Sequence, residues 1–216
     1  EILTRLVGSE MCIRDRTSPL EHNCSGKHAA FLATCKKMNW PLDSYLKGDH
    51  PLQIEIFRII SELLEIPASE INAERDDCGA PTLYLKLLEM SRLYSLLSSS
   101  ENAELEQISR AMIINPIMIS DNNKFDTEII KASHGQVIGK GGAEGIQCLC
   151  KVNEGIGLAL KVEDGSKRAK HAVSLHLLKQ LEWISDLRIQ DIEEKVFNFS
   201  EGVRIEVKGQ LKFQES

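Results

Sequence analysis

Residues 135–164 read GQVIGKGGAEGIQCLCKVNEGIGLALKVED, and this stretch decides the fold class of the chain. Its two parts, 135–152 and 155–164, are rich in apolar residues and are joined by the turn-forming tripeptide Asn-Glu-Gly. The pattern predicts adjacent strands of a meander. Several helix-like segments come before these strands, and residues 167–184 return to a helical period after them. This order predicts an α+β fold in which helices pack over one antiparallel sheet.

Helical spacing of apolar residues also marks the segments that precede the sheet. They cover 27–39, 49–66, 81–97, 101–114 and 126–133. The segment 81–97 is apolar nearly all round, so we expect that helix to be central and buried. Residues 68–80 are predicted to form a loop, and short strands are predicted at 203–208 and 211–214. No repeat or low-complexity linker interrupts the chain, so one domain is the simplest organisation.

The composition excludes several classes of function. The chain has 216 residues, a net charge of −6 and 42% hydrophobic residues. It contains no apolar run near the roughly 18 residues of a membrane span. An acidic balance disfavours general nucleic-acid binding, which needs a basic face. Six cysteines are too few for a disulfide scaffold at this length, so we expect reduced thiols and a cytoplasmic location.

Residues 1–16, EILTRLVGSEMCIRDR, continue no pattern found later in the chain. The run LVGSEMCIRDR resembles translated sequencing-adapter read-through, so we interpret 1–16 as a non-native artefact and set Cys12 aside. The alternative is a genuine disordered tail. Under the first interpretation the true N-terminus is not visible, and a signal peptide could not be read from this sequence.

Two short segments combine a cysteine with charged neighbours at the start of a helix or turn. The first is His22-Asn23-Cys24-Ser25-Gly26-Lys27-His28, in which Cys24 and Lys27 share a helix face. The second, Arg75-Asp76-Asp77-Cys78-Gly79-Ala80-Pro81, is compatible with metal chemistry or with a charged turn capped by Asp. The first segment, at 22–28, is equally compatible with an ordinary helix cap formed by Ser and Gly. Spacing alone supports a metal site weakly, because Cys-x-x-Lys is not a standard zinc pattern.

A third segment, Gly139-Lys140-Gly141-Gly142-Ala143-Glu144-Gly145, lies between the strand-like runs. It matches neither the P-loop nor the G-x-G-x-x-G pattern. A Lys-Gly pair on a strand edge is similar to the Lys-Thr-Gly element of serine penicillin-recognising enzymes, which work with a Ser-x-x-Lys helix. The alternative is a Gly-rich bulge with a solvated lysine. The single Ser-x-x-Lys match, Ser44 to Lys47, falls in a turn, and we reject it as a nucleophile.

Taken together, HNCSGKHAAFL, DDCGAPT and GKGGAEGI resemble the asparaginase II family, the zinc-containing, rhizobial-type L-asparaginases. The resemblance covers 17–216, which would be the C-terminal two-thirds of a single asparaginase-like domain. It implies a fold similar to serine β-lactamases and glutaminases, here incomplete. It also implies hydrolysis of L-asparagine to L-aspartate and ammonia by a Ser-Lys mechanism beside a zinc site.

The resemblance further assigns roles to individual residues. Cys24, Lys27 and Cys78 fall on the family's zinc ligands, with water as the remaining ligand. Asp76 falls on its functional aspartate, and Lys140 on the lysine of one of its two Ser–Lys pairs. The nucleophilic serine belongs to the family's region upstream of the Asn-Cys-Ser-Gly motif, so we expect it to be absent from this chain and the chain alone to be inactive.

The resemblance leads to three further expectations, and the sequence departs from the family pattern at two positions. Cys24, Lys27 and Cys78 should converge, and Lys140 should point into the cavity that holds Lys27 and Asp76. We expect Cys148 and Cys150 to lie on opposite faces of a strand, with neither a ligand and at least one in the core. Asp77 stands where the family often has Gly, and Asp126 where some members carry a further Cys.

Other functions remain open on the sequence alone. One is a related glutaminase or penicillin-recognising acyl transferase, which would lack the Cys24, Lys27 and Cys78 set. Another is a zinc-stabilised binding domain in which Lys140 only packs. The expected partner is a small-molecule substrate, L-asparagine, with no nucleic acid or membrane, and a homodimer is conceivable.

Overall fold

The computed structural model describes residues 22, 24–197 and 205–212. The chain folds as two compact units, with the boundary between Leu85 and Lys86. The described residues combine helices with small antiparallel sheets, which confirms the α+β class. The similarity to serine β-lactamases stays a prediction. The expected artefact at 1–16 lies outside the described residues.

The first unit contains two helices and a short hairpin. Its elements are α1 (Ser25–Met38), α2 (Pro51–Leu64), a 3₁₀ turn (Ala68–Glu70), β1 (Ala73–Arg75) and β2 (Pro81–Leu83). Helix α2 begins where His50 accepts the backbone N–H of Leu52, with Pro51 in the first turn, where its missing N–H costs nothing. Helices α1 and α2 both end at a left-handed residue, Asn39 and Glu65.

A small core holds the first unit together. It consists of Cys35, Tyr45 and Leu52, with partly buried apolar neighbours that include Phe31 and Trp40. Burying the amide of a glutamine in such a core is costly unless it is hydrogen-bonded. Gln53 meets that condition, because its side-chain amide donates to the carbonyl of Tyr45 at 2.7 Å. This bond ties α2 to the turn that follows α1.

The prediction of one helix over 81–97 is wrong in its first third. Pro81–Leu83 form β2, which pairs antiparallel with β1 and places Arg75 opposite Pro81. Proline is tolerated at the start of a strand, since its missing N–H removes only one ladder bond there. The predicted loop at 68–80 therefore contains one strand of a hairpin. The helix begins later, in the second unit.

The second unit places helices around a three-stranded sheet. Its elements are α3 (Leu87–Ser98), α4 (Ala103–Ile114), α5 (Ile117–Ser120), α6 (Phe125–Ala132), β3 (Val137–Gly141), β4 (Ile146–Lys151), β5 (Ile156–Lys161), α7 (Lys167–Gln180) and α8 (Asp186–Val196). The strands are antiparallel in the order β3-β4-β5, which confirms the predicted meander. The core includes Phe125, Ile129, Leu149, Leu175 and Leu178.

Helix α3 lies against the sheet at Gly157. A Cβ built on Gly157 would lie 2.0 Å from the carbonyl oxygen of Ser91 and 2.4 Å from the nitrogen of Ser95. Only glycine permits this approach of a helix backbone to a strand. The expectation that the whole helix is buried is wrong, however, because Leu88 at its start is 79% exposed.

Two other expectations about the second unit need correction. Residues 205–212 contain no strand, whereas α8, which apolar spacing did not suggest, covers Asp186–Val196. Cys148 and Cys150 do not lie on opposite faces, because residues two apart on a strand point to the same face. Both are buried, at 2% and 0% exposure, which confirms that they belong to the core.

Among the described residues, no helix is both long and apolar enough to cross a membrane.

Candidate functional site

Asp76 shapes the hairpin loop that carries Cys78. Its Oδ1 accepts the backbone N–H groups of Cys78 and Ala80, each at 2.9 Å. The backbone of Gly79 is left-handed, with φ of 80°, and its N–H bonds the carbonyl of Asp76 at 2.8 Å. Asp77, at the departure from the family pattern, is not left-handed. The loop therefore closes around one carboxylate, as in an Asx turn.

The second oxygen of that carboxylate reaches back to α1. Asp76 Oδ2 accepts the ammonium of Lys27 in an ion pair that is only partly exposed. Burial alone would raise the pKa of Asp76, but the hydrogen bonds from Lys27, Ala80 and Cys78 hold it below its usual value. Asp76 is thus an ionised carboxylate with both oxygens occupied. The pair joins the motif at 22–28 to the motif at 75–81.

The two motif cysteines meet beside this ion pair. The thiol sulfurs of Cys24 and Cys78 come together here from the two motifs. A ring nitrogen of His22 joins them, and the three donor atoms all lie within 4.8 Å of one another. Burial and the neighbouring Cys24 raise the pKa of the Cys78 thiol to about 12. The prediction that Cys24 and Cys78 converge is confirmed, and we call His22, Cys24 and Cys78 the donor cluster.

His22 is the site residue that the sequence analysis missed. It lies in the first motif, two positions before Cys24, and it is 6% exposed. Its Nδ1 accepts the backbone N–H of Cys24 at 3.1 Å, while its Nε2 is buried and has no hydrogen-bond partner among the described residues. A histidine close to a cysteine in a loop is a general sign of a metal site. The conformation of the loop decides whether the ring turns inward.

A second buried histidine supports the start of α1. His28 Nδ1 lies 2.8 Å from the hydroxyl of Tyr45, and the two rings meet edge to face. Burial and the charge of Lys27 lower the pKa of His28, so the ring is neutral in the core. This contact fixes the first turn of α1, which carries Lys27.

The donor set fits zinc by its chemistry. Zinc in proteins is bound by thiolate, imidazole and carboxylate groups, commonly four in number. Here two thiols and one imidazole lie close together, and none of these three groups forms an ion pair with another. The Lys27 amine is engaged as an ammonium by Asp76. An ammonium has no free electron pair, so Lys27 ligates only after it loses a proton.

Lys140 lies in the second unit, on β3 opposite Cys148 of β4. Its side chain is exposed, and the ammonium donates to the carbonyl of Gly141. Burial raises the pKa of the Cys148 thiol to about 11, and the charge of Lys140 opposes that rise. The expectation that Lys140 shares a cavity with Lys27 and Asp76 concerns both units and stays a prediction.

A buried polar cluster holds the hairpin that follows Lys140. Asp126 accepts the N–H of Gly141 and the side-chain amide of Gln147, each at 2.8 Å. Lys170 donates to the carbonyls of Gly142 and Ile146, at 3.2 and 3.0 Å. Asp126 and Lys170 are 6% and 5% exposed. We call Asp126, Gln147 and Lys170 the Asp126 cluster.

The model of one protein family, described as L-asparaginase II, matches residues 9–213. The chain belongs to the L-asparaginase II family. The match includes all three motifs and both units. No curated protein matches this chain. Membership of the family indicates an amidohydrolase that acts on a small-molecule substrate.

Proposed function

We propose that this chain is part of an L-asparaginase, which hydrolyses the side-chain amide of L-asparagine to L-aspartate and ammonia. The family match over 9–213 carries the proposal. The convergence of Cys24, Lys27, Asp76 and Cys78 supports it, because residues from two distant motifs form one charged, partly buried site. Such clusters are more frequent at functional sites than on ordinary surfaces.

In the proposed mechanism a serine hydroxyl loses its proton to a neutral lysine and attacks the amide carbon. The amide nitrogen leaves as ammonia and an acyl-enzyme remains, which water hydrolyses to aspartate. Lys140 is the lysine that this chain contributes. We propose that the nucleophilic serine lies in sequence upstream of the family motif at 22–28. Asp76, which is ionised, holds Lys27 and the Cys78 loop in place.

We also propose a zinc site in the first unit. Cys24 and Cys78 would hold the ion, with Lys27 as the third ligand that the family resemblance implies. Bound zinc supplies a positive charge that orients a substrate or stabilises a developing anion. The same arrangement would fasten the hairpin loop to the start of α1, since its ligands come from both.

The test compares ammonia release from L-asparagine by the chain of 216 residues and by the same chain extended with the upstream region of its gene. We expect activity only in the extended protein, and its loss on Lys140→Ala. A Lys151→Ala variant is the matched control, because Lys151 is a lysine of the adjacent strand β4. Asparagine hydrolysis by the short chain would contradict the assignment of the nucleophile. An inactive extended protein that still binds zinc would favour the zinc-stabilised binding domain.

A further inference from the structure

An open cavity of about 400 Å³ lies beside the hairpin loop of the first unit, and we call it the hairpin pocket. The turn that follows α1 forms one wall, and the end of β1 with the loop after it forms the other. Its polar lining consists of Asp43, Ser44, Lys47, Arg75 and Asp77. Cys78 lines the pocket and also belongs to the donor cluster. A cavity of this size is large enough for a small molecule.

The pocket carries charges of both signs that do not neutralise one another. Lys47 and Arg75 are cations, Asp43 and Asp77 are carboxylates, and all four residues are exposed. None of the four side chains forms an ion pair or a hydrogen bond within the part of the chain that the structure describes. By contrast, the exposed Arg58 on α2 is paired with two glutamates of its own helix. The charges of the pocket are therefore free to bind a ligand.

Buried contacts behind the pocket hold both walls in place. On one side, the side-chain amide of Gln53 donates to the carbonyl of Tyr45 at 2.7 Å, and His50 Nε2 donates to the carbonyl of Pro41 at 2.9 Å. On the other side, Asp76 accepts two backbone N–H groups of the hairpin loop. A pocket whose walls are held in advance loses less conformational entropy when a ligand binds.

The combination of charges selects the chemistry of the ligand. A simple anion such as phosphate would be repelled by Asp43 and Asp77, and a simple cation would be repelled by Lys47 and Arg75. A zwitterion with one carboxylate and one ammonium group finds an opposite charge for each. Arginine binds a carboxylate through two parallel hydrogen bonds, and a carboxylate accepts strong hydrogen bonds from an ammonium group. The pocket therefore matches a small zwitterion better than either single ion.

We propose that the hairpin pocket binds the zwitterionic end of an α-amino acid, with Arg75 and Lys47 on its carboxylate and Asp43 and Asp77 on its ammonium group. The inference rests on the proposed function, because L-asparagine and its product L-aspartate both carry this end. It also gives a role to Lys47, whose Ser-x-x-Lys pattern is rejected above as a nucleophile. Lys47 is a binding residue in this proposal.

The experiment measures ligand binding to the full chain by isothermal titration calorimetry. The ligands are L-asparagine and two analogues that each lack one charge. Succinamate lacks the α-ammonium group, and 3-aminopropanamide lacks the α-carboxylate. The variants are Arg75→Gln and Asp43→Asn. Arg58→Gln and Asp49→Asn are the matched controls, because both residues are exposed in the same unit and lie outside the pocket. Circular dichroism checks that each variant is folded.

We expect L-asparagine to bind, and each analogue to bind about 10-fold more weakly, because each leaves two charges of the pocket without a partner. A 10-fold change corresponds to about 1.4 kcal/mol. We expect Arg75→Gln and Asp43→Asn to weaken L-asparagine binding by about the same factor, and the two controls to leave it unchanged. Arg75→Gln should also discriminate less against 3-aminopropanamide, and Asp43→Asn less against succinamate, because each has lost a charge that reads the missing group.

The remaining outcomes overturn the inference. A native chain that binds no L-asparagine would reject it, as would equal binding of the three ligands. L-asparagine binding that both pocket variants leave unchanged would place the amino acid elsewhere in the chain. The proposed function is judged separately, by ammonia release from the extended protein. Amino-acid binding that depends on Arg75 and Asp43, without hydrolysis by the extended protein, would retain the binding site and reject the asparaginase. Hydrolysis by the extended protein, without such binding, would do the reverse.

Discussion

The two units each contain a buried polar cluster, and the clusters differ in how fully their atoms are hydrogen-bonded. In the Asp126 cluster, both oxygens of Asp126 accept hydrogen bonds and the Lys170 ammonium donates to two carbonyls. Only Gln147 Oε1 has no partner there, among the residues described. In the donor cluster, the two thiols adjoin each other, and His22 Nε2 is hydrogen-bonded to nothing among the described residues.

Under the proposed zinc site, this difference would separate a structural cluster from a metal-binding one. Buried charges are retained when their hydrogen bonds are complete, and such a network fixes one conformation. A cluster with unsatisfied donors gains from a ligand that completes it. The Asp126 cluster holds a hairpin, and among its described polar atoms Gln147 Oε1 alone lacks a partner. The donor cluster is completed by a metal ion, according to the proposal above.

The largest effect is expected from breaking the Asp126 cluster with Asp126→Ala. The substitution leaves the buried Lys170 ammonium without a counter-charge and leaves the Gly141 N–H without its acceptor. A buried donor left without its acceptor costs about 1–3 kcal/mol of the free energy of unfolding, and this variant leaves two such donors, the Gly141 N–H and the Gln147 amide. Urea denaturation monitored by tryptophan fluorescence measures it. The control is Asp191→Ala on α8, which is exposed and should cost at most about 0.5 kcal/mol. Equal costs for the two variants would contradict the prediction.

Apolar spacing predicted the helices that pack on a core. Helices α1, α2, α4, α6 and α7 begin and end within four residues of their predicted bounds. Apolar spacing gave wrong predictions in segments whose structure depends on pairing with another strand. Pro81–Leu83 look like a helix start but pair with β1, and residues 205–212 alternate like a strand but pair with none described. A strand is defined by its partner, which local sequence does not encode.

The candidate site shows the same limit. The quoted motifs were enough to predict that Cys24 and Cys78 meet, because the family resemblance supplied the fold. His22 and Asp126 were quoted without a role, since their importance depends on burial. His22 is defined by a missing hydrogen bond, and Asp126 by two that are present. Neither property can be read from residue type and spacing.

Two glycine substitutions test the comparison of the two clusters, with an effect of intermediate size on the free energy of unfolding. A Cβ on Gly141 would lie 2.6 Å from Lys170 Nζ and 3.1 Å from Gln147 Oε1, so alanine must displace two buried side chains of the Asp126 cluster. Overpacking of this kind costs about 1–3 kcal/mol. A Cβ on Gly26, in the first turn of α1, meets nothing within 4 Å. Gly26→Ala should therefore stabilise the chain by up to about 1 kcal/mol through helix propensity.

The same urea titration measures both glycine variants. The prediction is a difference in sign between them, which does not depend on the absolute stability of the chain. If Gly141→Ala were neutral, the Asp126 cluster would be loose enough to move its lysine aside. The comparison with the donor cluster would then lose its basis.

The smallest effect concerns pH, through a histidine beside the Asp126 cluster. His171 stacks on Phe125, with ring centroids 4.1 Å apart and planes inclined by 7°. Burial, reinforced by the charge of Lys170, lowers the pKa of His171 to about 4. In the unfolded chain the pKa is about 6.5. Between these values the unfolded state binds the proton and the folded state does not, so stability falls as the pH is lowered from about 6.5 to about 4.

We expect this histidine to account for about 2 kcal/mol of the loss, after allowance for the part of the ring that solvent reaches. Other groups titrate in the same range, so the informative quantity is the difference between native and His171→Gln in the free energy of unfolding at about pH 7 and about pH 4.5. The variant should lose less stability on acidification. Equal slopes in the two proteins would mean that His171 takes up a proton in the folded state as readily as in the unfolded state, and that the surroundings of the Asp126 cluster admit a further positive charge.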